Sequence, residues 1–189
     1  MSQQENVTPT GILKEEHKAI RKVLAVLEKM CVLLEGGKPV PVKDLEQVVD
    51  FIRTFADRCH HGKEQDILFA AMVEAGFPSE GGPIAVMLME HDMGRDFVRE
   101  LAEGVTEYAG DGKAGIAKIV ENGRNFISLL DAHIDKEDNI LYPMADANLS
   151  TERQKAMIVE FEKAEREKIG PGKHAEYHRL IDRLQTTYR

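Results

Sequence analysis

The sequence predicts an all-α protein: an up-down-up-down four-helix bundle with additional C-terminal helices. Three observations predict it. Apolar residues recur at spacings of three and four through long stretches. Breaks rich in Gly and Pro fall where bundle turns should lie. No run of residues reads as a convincing strand. The chain has 189 residues, enough for one domain with a sizeable core.

The elements follow in order. Thr8 or Thr10 can cap a first helix beside Pro9, and Ile12, Leu13, Ile20, Val23, Leu24, Leu27 and Leu34 form its apolar stripe. Gly36-Gly37-Lys38-Pro39 stops it. A second helix runs from Val42 to Ala75, with Leu45, Val48, Val49, Ile52, Phe55, Ala56, Leu68 and Met72 on one face. Gly76 ends it. Pro83 opens a third helix, which reaches Ala109 before Gly110-Asp111-Gly112 turns the chain. The fourth covers Lys113 to Leu141, and Pro143 stands where it should fray. Ser150 caps a fifth helix, Thr151 to Lys168, and Gly170-Pro171-Gly172 precedes a last one, Lys173 to Thr187. Short connections favour antiparallel neighbours. The expected division is a bundle over residues 1–148 and a helical extension packed on it over 149–189.

Bulk properties exclude several classes. With 33 acidic and 25 basic residues the net charge is -8. No basic excess is available to neutralise phosphates, so neither nucleic acid nor an anionic membrane is an expected partner. No apolar run approaches a membrane span. The N-terminal Met-Ser-Gln-Gln-Glu-Asn lacks the features of a secretion signal, and the two cysteines, Cys31 and Cys59, make no disulfide framework. The expected location is cytoplasmic, with Cys59 a small buried hydrophobe.

Chemistry concentrates in two copies of His-x-x-x-Glu, His60/Glu64 and His133/Glu137. Residues four apart share a helical face, so each motif aims an imidazole and a carboxylate at one point. Lone histidines His17 and His91 lie on the other two helices. The order lone His, motif, lone His, motif is compatible with pseudo-twofold symmetry of two helical hairpins. In a bundle of alternating direction, the ligands meet only if they lie near the start of the first and third helices and near the end of the second and fourth. All four positions fall roughly 8–17 Å from the same end. Histidine nitrogen with Glu oxygen suits Fe, Mn, Zn or Ni better than Ca or Mg. Two carboxylates with four or five imidazoles suit a dinuclear centre. No Glu stands three residues before any His, which separates this pattern from the Glu-x-x-His carboxylate bundles.

These residues resemble the hemerythrin-like, HHE cation-binding family. The likeness rests on Glu15-Glu16-His17, His60-His61-Gly62-Lys63-Glu64 followed by Asp66-Ile67-Leu68-Phe69, Glu90-His91-Asp92, and His133-Ile134-Asp135-Lys136-Glu137-Asp138 followed by Leu141-Tyr142-Pro143. The resemblance implies a non-haem centre of two Fe ions, oxo- or hydroxo-bridged, with Glu64 and Glu137 as bridging carboxylates. His17, His60, His91 and His133 complete the shell, and Zn or Mn are candidate substitutes. Oxygen carriers of the family place a second histidine four residues after that of the third helix. Here that residue is Arg95, which cannot ligate, and His61 is the candidate replacement. The fourth-helix motif also carries Glu one residue closer than the Asp of those carriers. Both departures resemble the broader bacterial group and speak against simple O2 transport.

The expected function is binding of O2, NO or peroxide in sensing, storage or a stress response. The alternatives are an enzyme that reduces peroxide or NO or donates iron for iron–sulfur repair, and a structural metal bundle. The expected partners are a small diatomic gas or peroxide and a redox partner, with the chain a monomer or homodimer. Phe55, Leu68, Ile134 and Leu141 should wall the centre. Plainer readings apply elsewhere. His174 and His178 should pack or hydrogen-bond against the bundle. Met87, Met89 and Met93 should fill core. Asp92, Asp135 and Asp138 should point to solvent. The charge run Glu160 to Lys168 should be an exposed face.

Overall fold

The structure is a computed structural model that describes residues 7–189. The N-terminal hexapeptide, read above for a secretion signal, lies outside the described residues, which are all-helical and contain no strand. Helix α1 (Pro9–Glu35) starts where Thr8 Oγ1 accepts from the Gly11 backbone N–H, with Pro9 needing no donor at that position. It ends at Gly36-Gly37, where Lys38 N–H bonds back to Leu33 O and Gly37 takes φ +71°.

The next helical stretch begins as α2 (Val42–Phe51) and finishes as α3 (Phe69–Glu74). Between them, Ile52–His61 and Glu64–Leu68 are wound as π-helix. A π-turn holds an extra residue, so more consecutive side chains face inward than an α-helix allows. Adjacent His60 and His61 are both buried, together with Glu64. Helix α4 (Gly82–Asp111) starts at Pro83, and α5 (Ile116–Lys136) follows a turn in which Asp111 Oδ1 accepts from the Lys113 and Ala114 N–H groups. Gly115 permits this turn: its φ is +79°, and a Cβ there would stand 2.1 Å from Gly104 O.

Pro143 does not fray the fourth helix. The chain runs through a third π-wound stretch, Glu137–Leu141, into α6 (Tyr142–Asn148), with Pro143 in the first turn of α6. A proline in a first turn has no N–H to waste, so the helix continues. Ser150 caps α7 (Thr151–Lys168), and α8 (Lys173–Thr187) ends the chain.

Helix α1 packs on α2 and α5, and α4 packs on the same two, so these four helices close a ring of neighbours. Helices α7 and α8 both lie against α1. Two apolar clusters result. One gathers Ile20, Leu27, Phe51, Phe55, Leu101 and Phe126 with Tyr177 and Leu184 of α8. The other gathers Leu13, Leu68, Met72, Met87 and Leu141 with Met157 and Phe161 of α7. His17 falls between Leu13 and Ile20, His60 between Phe55 and Leu68, and His133 between Leu130 and Leu141. The polar residues therefore form an island between two hydrophobic masses. Met87 fills core as expected, but Met89 and Met93 are exposed, because their side of α4 faces away from its partners.

Candidate metal centre

The seven residues singled out from the sequence, His17, His60, His61, Glu64, His91, His133 and Glu137, are all buried, and the folded chain brings them together. Donor atoms of His17, His60, Glu64 and Glu137 lie within 4.8 Å of one another, as do those of His61, Glu64, His91 and His133. Glu64 belongs to both groups. Phe55, Leu68, Ile134 and Leu141, expected to wall the centre, are buried.

Three imidazoles are oriented by carboxylates from a neighbouring helix. His60 Nδ1 stands 2.8 Å from Glu16 Oε2, His133 Nδ1 2.9 Å from Glu90 Oε2, and His17 Nδ1 2.9 Å from Asp138 Oδ1. A carboxylate on Nδ1 fixes the tautomer and turns the Nε2 lone pair inward. The sequence assigned Asp138 to solvent. Its offset from Glu137 points it around the helix, and it meets α1 there. Glu16 and Glu90 are themselves held by Lys63 and Lys136. Spacing alone could have marked these supports. Each lone His follows a Glu, and each motif Glu follows a Lys. Asp92 and Asp135 are exposed and pair with Arg95 and Arg21, as their place on the helix predicts.

At the inner face, groups with lone pairs confront one another. Glu137 Oε2 is 3.2 Å from His17 Nε2 and Oε1 is 3.1 Å from His133 Nε2, yet both oxygens lack hydrogen-bond geometry to any partner. Glu64 Oε2 and both ring nitrogens of His61 are also buried without one. Buried polar atoms are seldom left so. A cation would take the carboxylate oxygens and one nitrogen of His61, and imidazole with carboxylate is a donor set for Fe, Zn or Mn. The residues present fit a metal ion.

Electrostatics agree. Burial lowers the pKa of His60, and burial with the neighbouring His91 takes His61 well below its usual value, a direction that favours the neutral form that ligates. Burial and the charge of Glu64 push Glu137 well above the usual carboxylate range. Burial would raise Glu64 too, but His60, His91 and His61 outweigh it and hold it well below. Two carboxylates buried together resist joint ionisation, and a cation between them removes that resistance.

Tyr142, unassigned in the sequence, is fully buried beside this cluster. Its hydroxyl donates to Glu64 Oε1 at 2.5 Å and lies 3.3 Å from His17 Nε2. On the other side a cleft of about 510 Å³ reaches His61 and His91 between Arg95, Phe126, Leu130 and Lys168. Arg95 takes no part in the donor groups and instead binds Asp57, Asp92 and Gln65 at the mouth. Lys168 reaches it from α7 by lying across Gly62, where a Cβ would fall 2.4 Å from Nζ, to pair with Asp66 at 2.6 Å. The charge run ending at Lys168 is therefore not wholly a solvated face.

His174 packs its ring 5.0 Å from that of Phe55, and His178 lies 5.0 Å from His174. Donor atoms of Glu16, Glu165 and His174 also converge, but Glu16 is already occupied by His60 and Lys63. Cys31 and Cys59 are buried free thiols, and burial pushes each up to about 11.

The hemerythrin HHE cation-binding domain matches residues 8–145. An uncharacterized protein of Mycobacterium tuberculosis, Rv1995, is 20% identical over 94% of this chain and 68% of its own. The iron-sulfur cluster repair protein YtfE of Yersinia pseudotuberculosis is 34% identical over 71% of this chain and 62% of its own length. YtfE of Yersinia pestis is similar to the same extent. No solved structure matches.

Proposed function

This chain belongs to the hemerythrin HHE cation-binding family, and from that premise we propose that it is a non-haem di-iron protein that binds O2, NO or peroxide at a carboxylate-bridged centre. The observation that carries the reading is the pair of buried donor groups sharing Glu64. His17 and His60 would hold one metal, His61, His91 and His133 the other, and Glu64 and Glu137 would be shared by both. The ring of helices is read as an up-down-up-down bundle over residues 1–148, with 149–189 an extension packed on it.

Bound iron would supply redox chemistry and an exchangeable coordination position. The chain's own residues do the rest. Glu16, Glu90 and Asp138 hold the imidazoles in their ligating tautomers. The two apolar clusters keep bulk water from the centre, and the cleft beside His61 and His91 is the route for a small molecule. No described helix is long and apolar enough to cross a membrane, and we place the protein in the cytoplasm.

A second reading, iron donation in iron–sulfur cluster repair, is favoured by the similarity to YtfE. The test is elemental analysis of protein made without chelators, with visible spectra before and after dithionite and air. Two irons per chain with absorption that bleaches and returns support a redox-active pair, whereas zinc or one colourless metal sinks it. Reversible adducts with O2 or NO then favour binding. Iron transfer to a cluster-depleted acceptor protein favours repair.

A further inference from the structure

The metal group of His17, His60, Glu64 and Glu137 has a fifth oxygen at its edge. Tyr142 Oη stands 2.5 Å from Glu64 Oε1 and 3.3 Å from His17 Nε2. Ligands about 2.1 Å from one ion and at right angles to each other stand about 3 Å apart. The neighbouring His17 Nε2 to Glu137 Oε2 distance is 3.2 Å, so the 3.3 Å from the phenol to His17 keeps the spacing of a ligand, while the shorter contact to Glu64 is the hydrogen bond that the phenol donates in the metal-free chain.

The tautomer of His17 points the same way. Its Nδ1 is engaged by Asp138 at 2.9 Å. Its Nε2 lone pair therefore faces both Glu137 and Tyr142, and a cation accepting that lone pair comes to rest beside the phenol oxygen. The equivalent residue of the first hairpin is Phe69. The rings sit alike: Tyr142 stacks on His17 at 5.5 Å and 8°, and Phe69 on His91 at 6.1 Å and 13°. The two positions differ by the oxygen alone, and that oxygen is on the side where the donor group has fewer imidazoles.

We propose that Tyr142 is a protein ligand of the metal held by His17, His60, Glu64 and Glu137, binding as phenolate. It rests on the metal reading above. On binding, the phenol proton leaves to solvent and an oxygen lone pair forms the bond to the metal; nothing is oxidised or reduced. A hard, anionic oxygen favours ferric over ferrous iron, as tyrosinate does in haem proteins that use it.

The test titrates the metal-free full chain with zinc and, separately, with ferric iron. Zinc should raise the ultraviolet difference signal of one tyrosinate per chain. Ferric iron should give a visible phenolate-to-iron band with phenolate ring modes in its resonance Raman spectrum. Tyr142→Phe should lose both signals and keep its metal content, because the other donors remain, while Tyr108→Phe should keep both. Full metal content in the wild type with neither signal overturns the assignment and leaves the metal reading intact. Signals that survive in Tyr142→Phe also overturn it. Failure of the wild type to take up either metal overturns both.

Discussion

The two hairpins of the chain, α1 to α3 and α4 to α6, repeat one scheme with unequal finish. Glu16-His17 recurs as Glu90-His91, and His60, Lys63 and Glu64 recur as His133, Lys136 and Glu137. In both, a Lys holds a Glu that holds a His. The first hairpin is covered: Phe161 of α7 lies 5.6 Å from the ammonium of Lys63, which is fully buried, whereas Lys136 is 37% exposed. His61 and Phe69 in the first answer to Ile134 and Tyr142 in the second. The repeat explains how a symmetric cradle forms, and the differences explain why the two donor groups need not behave alike.

The largest test of that comparison is the pair of buried glutamates, Glu64 and Glu137. Glu64 belongs to both donor groups and Glu137 to one. Both carboxylates are shared in the proposed centre, so each alanine variant should lower metal content, Glu64→Ala by more than Glu137→Ala, read by elemental analysis. Equal loss in both variants would contradict the asymmetry.

The supporting lysines come next. Lys63→Met strips a buried partner from Glu16 and should cost about 3–5 kcal/mol in denaturant unfolding. Lys136→Met removes a partly solvated one and should cost about 0–1 kcal/mol. Matching losses would mean that the cover of α7 does not matter to the ion pair.

His61→Ile copies the second hairpin onto the first. Metal affinity of the donor group that contains His61 should fall at least about tenfold, measured against a competing chelator. Unchanged affinity would remove His61 from the ligand set.

The smallest effect is in pH. Burial pulls the His17 imidazole down, but Asp138, Glu137 and Glu64 outweigh it and lift it to about 9 from 6.5. In the metal-free chain this contributes stability that is complete below pH 6.5 and lost as pH rises through about 9. Metal must displace that proton, so affinity should rise over the same window. A denaturation midpoint that stays flat from pH 6.5 to 9 would show that His17 is not so held.

Much of this was legible in the sequence because helical spacing is a local property. His17, His60, His91 and His133 could be set at one level by counting residues from turns marked by Gly36, Gly76 and Gly110. What escaped depends on contacts between helices. Asp138 reads as solvated until α1 brings His17 to it. Nothing in the sequence marks the cover that Phe161 of α7 gives to Lys63. The π-turns left no mark in the periodicity, yet they let His60 and His61 share the interior and carry the helix past Pro143. Met89 and Met93 read as core because an apolar residue carries no label for which face of α4 is partnered.

The lysine that lies across Gly62 makes one wall of the cleft depend on α7. Among its residues only Met157 and Phe161 are buried, so α7 has little apolar surface to hold it and should detach locally at a cost well below global unfolding. Each detachment lifts Lys168 from the cleft wall and uncovers Lys63 together. The width of the cleft beside His61 and His91 would then vary with the local opening of a surface helix.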